Sequence, residues 1–246
     1  MAEIATENVT LKVADGTSMS AFVARPAGAA QSPGLMVFQE AFGVTSHIRD
    51  VTTRLAREGY TAIAPELFHR TAPAGTELSD SDFPAMMPHM MALSTETLSA
   101  DAKAAFDWLR SDARTDAARI GCVGFCLGGR TSFITSASVP IQGAVSFYGG
   151  AIGPNPRFPP LLHLAPELKA PILFFWGGQD KHIPLEQTRP IVDALEQAGK
   201  EYVNVRISSA DHAFFRDGSA HYSAKGAALA WSLTKEFLDR YVKNPA

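Results

Sequence analysis

The sequence predicts an α/β protein built on a mostly parallel, twisted sheet with helices on both faces and an antiparallel hairpin at its N-terminal edge. Two observations carry this reading. Short continuous apolar runs (Leu35–Gln39, Tyr60–Ala64, Ile120–Phe125, Gly143–Phe147 and Pro171–Trp176) have the character of strands buried on both faces, and they alternate with segments of helical periodicity. Right-handed crossovers between such strands place helices on each side of the sheet. No repeat, linker or low-complexity stretch interrupts residues 1–246, so a single domain is expected.

In chain order, Asn8–Val13 and Met19–Ala24 alternate around Asp15-Gly16 and predict the hairpin. Arg25–Gly34, rich in Pro, Gly and Ala, reads as a loop before the first buried strand, Leu35–Gln39. A turn, Glu40-Ala41-Phe42-Gly43-Val44, leads into a helix over Ser46–Glu58 that Gly59 stops. Tyr60–Ala64 is the next strand, ended by Pro65. Periodicity then fails from Glu66 to about Pro88, a length of loop that is usually functional and suits a lid or pocket wall. Helical spacing returns over Ser94–Arg110 and again after Leu127. Gly149–Ala170 is a proline-rich excursion between two strands; Leu185–Ala198 is a helix, Tyr202–Ile207 a strand, and Ala224–Val242 a long amphipathic helix.

With 46% hydrophobic and 19% charged residues, the 246-residue chain can bury a large core. A net charge of −3 offers no electrostatic case for nucleic acid or an anionic membrane. The N-terminus lacks the basic and apolar regions of a signal peptide, and no apolar run is long enough to span a bilayer, so a cytoplasmic protein is expected. Cys122 and Cys126 share one strand and its exit turn, which argues for reduced thiols, with Cys122 pointing into the core.

Gly124-Phe125-Cys126-Leu127-Gly128 is a Gly-x-Cys-x-Gly strand-to-helix turn, the nucleophile elbow with sulfur in place of oxygen. Such a turn strains the nucleophile's backbone and leaves no room for side chains two residues to either side. It also sets the sulfur at the positive end of a helix, where a thiolate is favoured. A plain buried cysteine is the competing reading. Glu40, Cys126, Asp180 and His212 all stand where a strand pattern stops, and in parallel sheets functional residues gather at the carboxyl ends of strands. Nucleophile, acid, then histidine is the chain order of the α/β-hydrolase fold. In that arrangement His212 takes the thiol proton and later protonates the leaving group, while Asp180 orients the ring. Taken singly, Asp180 also suits an ordinary turn and His212 a helix cap or core position. Asp211 is a rival acid, but adjacent loop side chains seldom orient one another's rings.

These residues resemble the dienelactone hydrolases, or carboxymethylenebutenolidases, cysteine-dependent members of the α/β-hydrolase fold. The resemblance spans nearly the whole chain and is carried by Gln39-Glu40-Ala41-Phe42-Gly43-Val44, Gly124–Gly129, Tyr148-Gly149, Gly177-Gly178-Gln179-Asp180 and His212-Ala213-Phe214-Phe215-Arg216. It implies a Cys126, Asp180 and His212 triad with Glu40 beside the thiol. It further implies that a substrate carboxylate competes for an arginine, matched here by Arg216, and so frees Glu40 to take the thiol proton. The thiolate then opens the lactone, of the dienelactone to maleylacetate kind, through a cysteinyl acyl-enzyme. Backbone N–H groups of Leu127 and Ala41 are the implied oxyanion donors. Phe42, Tyr148 and His89 complete the expected substrate contacts. The bidentate guanidinium of Arg216 suits a carboxylate, although a single loop arginine is also unremarkable.

One departure stands out. The family carries a second carboxylate-binding arginine in the segment after the strand ending near Pro65, whereas this chain has none between Arg70 and Arg110. Asp80–Leu93 supplies instead Met86, Met87, Met90 and Met91 around His89, adaptable apolar liners that suit a less anionic substrate, although methionines at helical spacing also serve as core. A broader carboxylesterase, thioesterase or lactonase, and an inactive binding protein on the same scaffold, are the alternative functions. His47, His69, His163, His182 and His221 show no zinc-ligand spacing, and neither a dinucleotide fingerprint nor a Walker loop occurs, so no metal or cofactor is expected. The partner is a small lactone or ester, and the resemblance implies a monomer.

Overall fold

The structure, a computed structural model, describes residues 3–28, 31–79 and 82–245; Ala29 and Ala30 of the first loop and Asp80 of the methionine segment lie outside them. Strands β1 (Ile4–Lys12) and β2 (Ser18–Pro26) form the expected antiparallel hairpin. Asp15 shapes its turn by accepting the Thr17 N–H at 3.0 Å, and Gly16 takes the φ of 87° that the turn requires. The remaining strands are β3 (Ser32–Phe38), β4 (Thr61–Pro65), β5 (Thr115–Phe125), β6 (Ala144–Phe147), β7 (Ile172–Gly177) and β8 (Tyr202–Ile207). They join one eight-stranded sheet in the order β1-β2-β4-β3-β5-β6-β7-β8. Every pair from β4 to β8 is parallel, whereas β2 meets β4 antiparallel.

Residues of β3, β4, β6 and β7 are buried throughout, which is why they read as unbroken apolar runs. The order reverses at β3: its successor β4 lies on one side and β5 on the other. Helices α1 (Ser46–Arg57), α3 (Thr95–Ser111), α4 (Leu127–Ser138), α5 (Leu185–Gln197) and α6 (Ala224–Leu238) cover the sheet. The carboxyl ends of β3 and β5 therefore open a crevice at the switch point, where open α/β sheets bind ligands.

Several boundaries differ from expectation: β1 begins at Ile4 rather than Asn8, and the segment expected as loop over Arg25–Gly34 gives its ends to β2 and β3. Three others have a clear local cause. The segment read as loop to Pro88 contains helix α2 (Phe83–Met91), started by an Asp82 carboxylate that accepts the Ala85 N–H at 3.1 Å, with a proline in the first turn where its missing N–H is harmless. Strand β5 begins at Thr115 rather than Ile120. Its first residues pair with Ser32 and Pro33, and the register then shifts so that Gly34 meets Ile120. Polar Asp116 and Arg119 bond each other beside that bulge at 2.7 Å, which hides the strand from an apolar pattern. Helix α6 ends at Leu238 and a single π turn, Asp239–Lys243, follows. That turn seats the fully buried Val242 against Gly121 and Gly143, which leave space for it.

Candidate active site

Cys126 joins β5 to α4 with φ 52° and ψ −110°, a conformation that costs a non-glycine residue on the order of 1–3 kcal/mol. The two flanking glycines are required by close approach. A Cβ on Gly124 would overlap the Gly128 carbonyl, and one on Gly128 would overlap the carbonyl of Phe38 at the end of β3. The Cys126 N–H is tied to Phe147 O at 3.0 Å, and Leu127 opens α4, where a first-turn N–H has no acceptor within its own helix.

Asp180 and His212 converge on this turn from the loops after β7 and β8. His212 Nδ1 lies 2.8 Å from Asp180 Oδ2, while Asp180 Oδ1 accepts the N–H groups of His182 at 2.8 Å and Ile183 at 3.0 Å. Both carboxylate oxygens are therefore engaged, and the imidazole lies close enough to the Cys126 side chain for the sulfur to act on its charge. Burial works to raise the Asp180 carboxyl, but the bond and charge of His212 and the two backbone N–H groups outweigh it and hold Asp180 below the usual carboxylate range. Burial likewise opposes a charged His212. Its nearness to the Cys126 sulfur, and the Asp180 carboxylate that accepts from Nδ1, prevail and lift the imidazole well above its ordinary value. Asp211 is directed elsewhere: it accepts the backbone N–H of His212 at 2.7 Å and pairs with His221 Nδ1 at 3.0 Å.

Glu40 and Ala41 follow β3, where Glu40 forms an isolated bridge with Gly43. Both are buried, Glu40 to 1% exposure, and Arg216 Nε stands 3.9 Å from Glu40 Oε2. The Arg216 guanidinium lies 4.8 Å from the centre of the Phe42 ring, a cation–π contact. Tyr148 follows β6 with its ring fully buried and 5.1 Å from that of His212. Beside this cluster, a groove of about 300 Å³ opens between α1 and the loop after His212, lined by Phe42, Thr45, His47, Leu78 and Arg216 among others.

The structure thus brings Cys126, Asp180, His212, Glu40, Arg216, Phe42 and Tyr148 together. His89 stands on α2, stacked on Phe68 and bonded to Thr71 at 2.8 Å, so its contacts are with the segment that follows β4 and not with the triad residues. Of its neighbouring methionines, Met86 is buried and Met91 exposed. Arg70, the last arginine before the gap, is held by Asp15 and Asp101. His182 is exposed at the rim, with its ring 5.6 Å from His212. Sequence reasoning passed over His47. It packs edge-on against Phe125 and Phe215, the residues preceding Cys126 and Arg216, across contacts that no local spacing reveals.

The profile of the dienelactone hydrolase family matches residues 19–242. The chain belongs to this family. It is 32% identical over 237 residues to the carboxymethylenebutenolidase of Pseudomonas putida, covering 95% of this chain and 96% of that protein. A protein of the same name from Pseudomonas knackmussii matches equally. A crystal structure from Klebsiella pneumoniae, named for the dienelactone hydrolases, superposes with a TM-score of 0.88 at 33% identity, over 97% of this chain and all of that one. A dienelactone hydrolase-like promiscuous phosphotriesterase from metagenomic libraries shares the fold, with a TM-score of 0.81 at 21% identity over 96% of this chain and 98% of that one. Membership makes the protein a hydrolase acting on an ester or lactone. Among the described residues, no helix is long and apolar enough to cross a membrane.

Proposed function

We propose that this dienelactone hydrolase family member opens a carboxylate-bearing lactone through a cysteinyl acyl-enzyme. The observation that supports the reading is the relay at the switch point: a sulfur on a strained elbow, beside an imidazole whose Nδ1 is held by a buried carboxylate. In this mechanism the substrate carboxylate binds Arg216 and draws it from Glu40. The thiol proton passes to Glu40 or His212, and Cys126 Sγ attacks the lactone carbonyl. The tetrahedral oxyanion is held by the N–H groups of Leu127 and Ala41. The ring C–O bond then breaks, the enolate oxygen departs and is protonated, and water activated by His212 cleaves the thioester to return the thiol.

The second reading, a broader carboxylesterase or lactonase, is favoured by one observation: Arg70 is committed to Asp15 and Asp101, and no arginine follows until Arg110. Turnover of dienelactone beside a neutral aryl ester by the purified protein tests the two. Efficient dienelactone hydrolysis with slow ester hydrolysis is expected. Fast ester hydrolysis with little dienelactone turnover would move the assignment to the esterase, and unchanged activity in Cys126→Ala would remove the cysteine mechanism.

A further inference from the structure

Strand pairing sets Tyr148 beside the nucleophile, because Phe125 is paired with Phe147 and the Cys126 N–H is bound to Phe147 O at 3.0 Å. The Tyr148 N–H is bound in turn to Phe175 O at 2.8 Å, and its φ of 38° is one that L residues rarely adopt. Its backbone is thus pinned in a strained conformation, and its ring is wedged among Phe125, Phe147, Phe214 and His212. Yet among the described residues the buried hydroxyl at its tip has no hydrogen-bond partner. Such a hydroxyl weakens the folded state, and phenylalanine would fill the same space without that penalty. The charged groups acting on it are Glu40, Cys126 and Arg216. Burial first, then the charges of Glu40 and Cys126, push the phenol well above its ordinary range, so it keeps its proton and serves as a donor.

We propose that the Tyr148 O–H is the hydrogen-bond donor that stabilises the negative charge on Cys126 Sγ once the thiol proton has left for His212 or Glu40. In the resting state the hydroxyl bonds neither Sγ nor any other described atom, so the bond forms only as charge develops on the sulfur and draws the donor in, and it favours the activated state over the ground state. No bond to Tyr148 is made or broken, and the phenol keeps its proton throughout. The proposal rests on the reading of Cys126 as nucleophile.

The test is Tyr148→Phe, which removes one oxygen atom. The expected result is a melting temperature equal to or above wild type, with the midpoint of the pH dependence of Cys126 alkylation by iodoacetamide raised by about one unit. Alkylation at neutral pH should slow about tenfold, and kcat should fall by roughly 10²-fold, as when a single preorganised donor is removed. Incorporating 3-fluorotyrosine at position 148, a more acidic phenol and stronger donor, should move the midpoint down. An unchanged midpoint in both variants would overturn the proposal whatever happens to kcat, because a role in shaping the pocket would leave the thiol titration alone. Failure of wild-type Cys126 to label, together with full activity of Cys126→Ala, would instead overturn the nucleophile assignment and this inference with it.

Discussion

Lowering the pH from 7 to 4 should destabilise this protein in a way that replacing His47 abolishes. His47, on the first turn of α1, is 9% exposed, and among the described residues neither ring nitrogen has a hydrogen-bond partner. Burial depresses its pKa from 6.5 to about 4; Asp217 and Asp50 oppose that shift, and Arg54 and Arg216 assist it. The unfolded chain therefore binds a proton near pH 6.5 that the native state refuses until about pH 4, so stability is complete above 6.5 and declines as the pH falls. The 2.5-unit gap corresponds to a loss of about 2 kcal/mol by pH 5 and about 3 kcal/mol by pH 4. At roughly 2–4 °C per kcal/mol for a chain of this size, the melting temperature should fall by about 4–8 °C between pH 7 and pH 5 on account of this residue. The assay is thermal unfolding across that range for wild type and His47→Phe, which keeps the edge-on packing against Phe125 and Phe215. The other titrating groups are common to both proteins, so the difference between the curves reports the imidazole together with its coupling to Asp217. Parallel curves between pH 7 and pH 5 would refute the reasoning and show that His47 takes up its proton in the native state as easily as in the unfolded one.

Asp180→Asn should leave the melting temperature near wild type and lower kcat by roughly 10³–10⁴-fold, as the loss of the orienting carboxylate does in serine triads. A loss of only a few-fold would make another group the orienting acid. Iodoacetamide should label one thiol in the native protein and two after denaturation, because Cys122 is fully buried and burial pushes it up to about 12; two labels without denaturant would contradict that burial. Gly128→Ala should cost roughly 3 kcal/mol or more, since its Cβ would overlap the Phe38 carbonyl and backbone cannot yield as a side chain does. An unchanged melting temperature would show that α4 leaves room for a methyl group against β3.

Much of the architecture was legible because parallel strands buried on both faces leave unbroken apolar runs, and β3, β4, β6 and β7 were found close to where those runs lie. The first half of β5 is polar and bulged, which hides it from an apolar pattern. Helix α2 carries a cap and two prolines rather than a periodic face, so periodicity does not reveal it. For the site, the Gly-x-Cys-x-Gly turn and the order Cys126, Asp180, His212 could be read in one dimension, since close approach at the elbow restricts which residues can stand there.

The sequence by itself determined the fold class, the family and the residues at the ends of the strands, because each depends on local pattern or on motifs a few residues long. Only the tertiary structure decided that Asp211 turns away to His221, that Arg216 lies against Phe42 within 3.9 Å of Glu40, and that His47 and the Tyr148 hydroxyl are enclosed near the nucleophile. Those contacts join residues tens of positions apart. They arise from the reversal of strand order at β3 and from helices packed across the sheet, which no short window of sequence contains.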